Sequence, residues 1–143
     1  MVGIVNPEVI KKTFSDKEIE NICNSDNVLS IYPKRFLRIN KKIGSKIKHR
    51  IRKKIRFFLN RRDCVFCGAK GKYFAIHGNG KRVKFNFLAK KNEQLVVMTI
   101  DHIIPLSKGG KNVLENMQPM CYNCNQKKAD KMPSFLEVEN FPR

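Results

Sequence analysis

The apolar residues of the chain recur with two different periods, and each period predicts a different kind of element. Between Ile47 and Leu59 they recur every three or four positions, which indicates a helix with one apolar stripe docked on a core. Ser45 precedes this stripe and is a suitable N-cap for the helix. Nearer the start of the chain, a helix start signal precedes each of two segments, so residues 8–14 and 16–23 are predicted to be short helices.

In the second half of the chain, apolar residues alternate with polar ones, which predicts β-strands. The segments 72–77 and 82–90 flank an Asn-Gly pair, a strong short-range signal for a β-hairpin. A further strand is predicted over residues 95–100, and it leads into Asp101 and His102 before a proline ends it. An acid and an imidazole are therefore expected side by side at the end of a strand.

The size and composition of the chain limit its class. It has 143 residues, of which 41% are hydrophobic, so it can bury one modest core and is short for two full domains. No apolar run approaches the roughly 18 to 20 residues of a membrane-spanning helix, and the first residues lack the basic start and apolar stretch of a secretory signal. We therefore expect a soluble, cytoplasmic protein without a membrane partner.

Positive charge is concentrated in one part of the chain. Thirty Lys and Arg stand against twelve Asp and Glu, a formal charge of +18, and residues 33–62 contain fourteen of these cations and no acid. Such an excess predicts an anionic partner, and nucleic acid is the leading one, although a merely solvated helix face is the alternative. We assign residues 31–62 as a basic, helical arm. The side chains expected to contact nucleic acid are Lys46, Arg50, Lys53, Lys54, Arg61 and Arg62.

Four of the five cysteines form two Cys-x2-Cys pairs, Cys64 with Cys67 and Cys121 with Cys124. Four thiolates brought together make a closed tetrahedral site suited to zinc, with no open position for a substrate. The zinc would therefore be structural and would clamp the domain. Two unrelated buried or redox-active pairs are the alternative. Cys23 stands alone and is expected to be a small buried apolar residue.

The residues around the second cysteine pair resemble those of a known family. The run from Asp101 to Gly110, then Asn116, and then the run from Cys121 to Asn125 resemble the HNH endonuclease family, over about residues 61–131. The resemblance implies an α+β fold: a ββα-metal (His-Me finger) nuclease core with structural zinc knuckles and an N-terminal basic helical extension. The segments expected on this basis are a helical N-terminal segment (1–30), the basic DNA-binding arm (31–62), the nuclease domain (63–131) and a C-terminal tail (132–143).

The resemblance also implies a role for each motif residue. His102 corresponds to the general base that activates water, and Asn116 to the residue that braces the catalytic loop. Asp101 and Asn125 correspond to the ligands of a catalytic divalent ion. Because asparagine stands at Asn125, where the family often has histidine, an oxygen ligand for Mg²⁺ or Mn²⁺ is implied. For Lys128, one helical turn further on, contact with a phosphate and simple solvation of the helix are both left open.

The resulting hypothesis is a metal-dependent HNH endonuclease that hydrolyses DNA phosphodiester bonds. Duplex DNA is the expected substrate, and the choice between nicking and double-strand cleavage is open. The alternative is a zinc-stabilised nucleic-acid-binding module without catalysis, and an RNA-directed nuclease is a third hypothesis. We expect a monomer, with a dimer left open, and a small free-standing chain of this kind resembles those of phages and mobile elements, which would place it in the host cytoplasm.

Overall fold

In the computed structural model of the protein, one antiparallel sheet carries helices from both ends of the chain. The structure describes residues 3–39, 45–79 and 82–132. The strands are β1 (Ile4–Val5), β2 (Ile10–Phe14), β3 (Lys70–Asn79), β4 (Arg82–Lys91), β5 (Gln94–His102) and β6 (Met117–Cys121). The helices are α1 (Asp16–Cys23), α2 (Lys34–Ile39), α3 (Ser45–Asn60) and α4 (Tyr122–Lys128).

The sheet is built around β5, which pairs with three other strands. The strand order is β1-β5-β4-β3-β2, and β6 pairs with β5 alone among the described strands. The predicted hairpin is confirmed, because β3 and β4 pair in register up to Asn79 opposite Arg82, while Gly80 in its turn lies outside the described residues. The strand predicted over residues 95–100 is also confirmed, and it extends through His102.

The prediction of a helix over residues 8–14 is wrong. Residues 10–14 form β2, in which Phe14 pairs with Phe74 of β3, and β1 adds to β5. The start signal before residue 8 begins only a one-turn 3-10 helix, Pro7–Val9, because edge pairing to the sheet takes over beyond it. The helix over residues 16–23 is confirmed as α1. The segment 1–30 is therefore mixed strand and helix, and it shares its sheet with residues 63–131.

Helix α3 docks on the sheet by the predicted apolar stripe. Ile51, Ile55 and Phe58 are buried, the last two completely. Phe58 stacks on Phe87 of β4, with 5.0 Å between ring centroids. Full burial of one such side chain stabilises the fold by about 1.5–3 kcal/mol, so the stripe contributes several kcal/mol to the docking of this basic helix. The capping role of Ser45 remains a prediction, because its side chain lies outside the described ones.

Strand β6 was not anticipated from the sequence, because Gln118 and Pro119 interrupt its apolar pattern. Proline cannot donate to a strand ladder, but among the described strands β6 pairs only with β5, so a missing N–H is tolerated there. Helix α4 begins at Tyr122, directly after the first cysteine of the second pair. No described helix is long and apolar enough to span a bilayer. The predicted C-terminal tail lies, beyond residue 132, outside the described part of the chain.

Truncation of the stripe should destabilise the fold. Ile55→Ala is expected to lower the free energy of unfolding by about 2–5 kcal/mol, because it removes a completely buried side chain and leaves a cavity. Urea denaturation measures this change. The control Arg50→Ala, on the exposed side of the same helix, should stay within about 0.5 kcal/mol of the wild type. Equal stability of Ile55→Ala and the wild type would contradict the docking described above.

Candidate active site and metal centre

The four paired cysteines meet in one cluster. The sulfur atoms of Cys64, Cys67, Cys121 and Cys124 all lie within 4.8 Å of one another, and the sulfurs of Cys67 and Cys121 are 3.8 Å apart. A tetrahedral zinc ion with Zn–S bonds of about 2.3 Å places its sulfurs about 3.8 Å apart. Both the type of donor and the spacing therefore fit a zinc ion, and all four protein ligands are present.

The backbone around the first pair forms a tight turn against β6. The Cys64 amide donates to the Ala69 carbonyl, and the Gly68 amide donates to the Cys64 carbonyl, both at 3.0 Å. Gly68 has a φ of +74°, a conformation that glycine adopts without strain. The Val65 amide then donates to the Pro119 carbonyl at 3.1 Å, which ties the first pair to the strand that leads into the second.

The thiols of the cluster do not ionise equally. A hydrogen bond from the Cys121 thiol holds the pKa of Cys64 well below its usual range. The same bond raises the pKa of Cys121, and burial together with the Cys64 charge raises the pKa of Cys124 to about 12. Without a cation the cluster resists a second thiolate. A bound dication removes this repulsion, so metal binding is accompanied by proton release.

Loss of one ligand should release the zinc and destabilise the protein. Cys124→Ser is expected to lower Tm by more than about 10 °C, because the binding free energy of a structural zinc is part of the folding free energy. The matched control is Cys23→Ala, since Cys23 is buried in α1 away from the cluster and should keep one zinc per chain. Zinc content and thermal unfolding are measured on both. One zinc per chain in Cys124→Ser would contradict the assignment.

His102 is held at the end of β5 by a residue that sequence reasoning missed. Its Nε2 lies 3.0 Å from Oδ1 of Asn112. An amide oxygen only accepts, so Nε2 is the donor in this hydrogen bond, and in a neutral imidazole Nδ1 is then the nitrogen that has the lone pair. The ring is therefore oriented with one nitrogen available as a proton acceptor. The only signal for Asn112 in the sequence is its place in the Gly-rich loop between His102 and Asn116.

Asn116 closes the loop that follows β5. Its Oδ1 accepts from the Ile104 amide at 2.8 Å, and its Nδ2 donates to the carbonyls of Ile104 and Lys111, both at 2.9 Å. A Cβ at Gly110 would lie 1.9 Å from the Ile104 carbonyl oxygen, so there is no room for a side chain where these two parts of the loop approach each other. One amide group thus joins both ends of the loop.

Asp101 is buried and paired with a lysine. Only 6% of Asp101 and 3% of Lys128 is exposed. Asp101 Oδ2 accepts from Gln118 Nε2 at 3.0 Å and lies 3.2 Å from Lys128 Nζ, which also donates to the His102 carbonyl at 3.0 Å. Lys128 therefore neither contacts solvent nor is placed to contact a phosphate, the two roles left open from the sequence, because its ammonium faces inward. Lys128 and Asn125 are three residues apart and so lie on one side of α4, but the sequence does not show which element that side contacts.

Asn125 lies against the same side of β5 as Asp101. Its Nδ2 donates to Thr99 Oγ1 at 2.8 Å, and Thr99 and Asp101, two residues apart on a strand, share a face. No hydrogen bond joins the side chains of Asp101, His102 and Asn125 to one another in the described part of the chain. Asp101 Oδ1 and Asn125 Oδ1 have no partner among residues 3–39, 45–79 and 82–132. These two oxygens are the type of donor that Mg²⁺ and Mn²⁺ prefer.

Two of the six cations expected to contact nucleic acid are bound to the protein itself. Lys54 Nζ donates to the Phe85 carbonyl and to Asn86 Oδ1, both at 2.9 Å, and burial lowers the pKa of Lys54 to about 8. Arg62 donates to the Lys72 carbonyl at 3.0 Å. Arg52, which faces α1, likewise donates to backbone carbonyls. We therefore leave Lys54 and Arg62 out of any ligand-binding surface.

The other four cations lie towards solvent. Lys46, Arg50 and Lys53 are exposed and follow one another at spacings of four and three, so they share one side of α3. Arg61 is half-buried, with its guanidinium 5.3 Å from the centre of the Phe57 ring. This side of the helix can meet an anionic ligand.

Removal of the buried ammonium should be costly. Lys128→Met leaves the Asp101 carboxylate buried without its cation, and a broken buried pair costs about 3–5 kcal/mol. The matched control is Lys127→Met, because Lys127 is the exposed neighbour in the same helix and should change stability by less than about 0.5 kcal/mol. Chemical denaturation compares the two variants. If both unfold like the wild type, Lys128 does not pair with Asp101.

Part of the chain matches a protein-family model. The family model of the HNH endonuclease matches residues 89–131, from the last residues of β4 to just beyond α4, and this segment includes Asp101, His102, Asn116 and Asn125. No curated protein and no solved structure matches the chain. The family match and the geometry thus indicate a nuclease in general terms.

Proposed function

We propose that this chain is a metal-dependent endonuclease that hydrolyses DNA phosphodiester bonds, because residues 89–131 match the HNH endonuclease family model. The observation that carries this proposal is the state of His102. Within the matched segment, its imidazole stands at a strand end with Nε2 hydrogen-bonded to Asn112, and Nδ1 has no hydrogen-bond partner among the described residues. Strands β5 and β6 with helix α4 would be the ββα-metal unit, and the preceding strands and helices its extension.

His102 acts as the general base in this proposal. A water molecule in line with the scissile phosphorus gives its proton to Nδ1 while its oxygen forms the new bond to phosphorus, and the bond from phosphorus to the 3′ oxygen breaks. Asn112 fixes the ring and its tautomer. Asn116 holds the loop that follows His102 closed through its hydrogen bonds to Ile104 and Lys111. The imidazole is therefore already positioned before the reaction, and no entropy is lost in ordering it.

Asp101 and Asn125 would hold the catalytic ion through the two oxygens that have no protein partner among the described residues. A bound Mg²⁺ or Mn²⁺ supplies positive charge against the charge that develops on the phosphate and on the leaving oxygen. Lys128 and Gln118 hold the other oxygen of Asp101, which fixes the direction of the carboxylate. The four cysteines would bind a separate, structural zinc.

The basic side of α3 would hold the DNA. Lys46, Arg50, Lys53 and Arg61 face solvent, and the net charge of +18 attracts a polyanion without reading its sequence. A binding module without catalysis would share this surface. It would have no use for the ordered imidazole, and no contact among the described residues favours it.

Plasmid cleavage tests the proposal. With Mg²⁺ or Mn²⁺ the wild type should convert supercoiled plasmid to open-circular or linear DNA, and EDTA should stop it. His102→Ala should lower the rate by about 10²–10⁴-fold, because it removes the general base. Zinc content and Tm should match the wild type, which separates lost chemistry from lost folding. If the wild type binds duplex, branched and single-stranded DNA but cuts none of them, the protein is a binding module instead.

A further inference from the structure

A cleft of about 420 Å³ lies between helix α3 and the loop that follows β5. Lys53, Arg56 and Arg61 line its α3 side, and Asn112 and Leu114 line its loop side. Its volume is within the range of ligand-binding pockets, about 300–1,000 Å³. Two parts of the chain that are about fifty residues apart in sequence thus form a single surface.

The chemistry of the cleft fits a phosphodiester backbone. None of its lining residues is acidic. Lys53 and Arg56 are exposed and make no ion pair or hydrogen bond with the residues that the structure describes, so both are available to an anion. Arg61 is oriented by the Phe57 ring. From Lys53 to its end at Asn60, α3 rises about 10 Å, which is comparable with about three nucleotides of a strand, and Arg61 follows directly after the helix.

The cleft is joined to His102 by two independent contacts. Asn112, which lines it, is the hydrogen-bond partner of the imidazole at 3.0 Å. Met117, which also lines it, is the residue directly opposite His102 in the pairing of β5 with β6. A strand held in the cleft therefore lies beside the groups that position the imidazole.

We propose that this cleft binds the sugar-phosphate backbone of the DNA strand that is cut and positions its scissile phosphate at His102. The inference rests on the proposed endonuclease function and adds to it, because it makes α3 a wall of the active site rather than a separate tether. Lys53 and Arg56 contact phosphates, Arg61 adds a fixed cation, and the exposed side chain of Leu114 offers an apolar surface to the sugar.

The test compares two double variants that lose the same charge. Lys53→Ala/Arg56→Ala removes the free cations of the cleft. Lys11→Ala/Lys17→Ala removes two exposed lysines from β2 and α1, and β2 is the edge strand at the far side of the sheet from β5. Both should keep the zinc content and Tm of the wild type. Plasmid cleavage is measured as a function of DNA concentration, and binding is measured against salt concentration in the His102→Ala background.

The cleft variant should lose about 10–100-fold in kcat/KM and should remain at least about fivefold slower at saturating DNA, because the phosphate is mispositioned as well as weakly bound. Its plot of log K against log salt should be shallower by about 2, since each of the two removed cations would otherwise neutralise about one phosphate. The control variant should stay within about twofold of the wild type at saturating DNA, because its two lysines lie away from the site.

Two results would overturn the inference while the endonuclease function stands. In one, the cleft variant behaves like the control variant. In the other, it recovers the full wild-type rate at saturating DNA, which would mean that its cations only attract DNA. A wild type that cuts no DNA would overturn the endonuclease function, and the inference with it.

Discussion

The antiparallel register between β5 and β6 is the constraint on which the rest of the site depends. It places Gln118 opposite Asp101 and Met117 opposite His102. It also fixes the position of the second cysteine pair and of α4, which follow directly from the end of β6. Because side chains alternate across a strand, a slip by one residue would turn this set to the opposite face. The first cysteine pair is hydrogen-bonded to β6, so a zinc ion in the cluster and the strand register reinforce each other.

The pair of Asp101 and Lys128 shows how a buried charge contributes to position more than to stability. Desolvation of the two ions offsets most of their attraction, so the pair adds little net free energy, whereas loss of one partner is costly. The pair instead fixes the orientation of the Asp101 carboxylate. Lys128 takes one carboxylate oxygen and the His102 carbonyl together, which fixes α4 against the strand end and leaves the other oxygen without a partner in the described part of the chain.

Local signals predicted the elements whose structure is decided locally. The apolar stripe of α3, the hairpin and the cysteine pairs each carry their spacing in the sequence, and all three are found in the structure. The helix predicted in place of β2 is wrong because the conformation of this segment comes from pairing with β3, which no local pattern records. The inward direction of Lys128 and the bond from Asn112 to His102 depend on tertiary contacts in the same way. The assignment of catalytic roles still rests on family resemblance.

The cations of α3 that face the protein share one further property. Residues 33–62 contain no acid, and both Arg52 and Lys54 donate to uncharged oxygens, mostly backbone carbonyls. A carbonyl oxygen satisfies a donor without cancelling its charge, so the molecule keeps its positive field even where these side chains are partly buried. Dissolved ions therefore act in opposing directions: they relieve the self-repulsion of the free fold and weaken its attraction for a polyanion. Folding and binding in this protein thus have opposite responses to ionic strength.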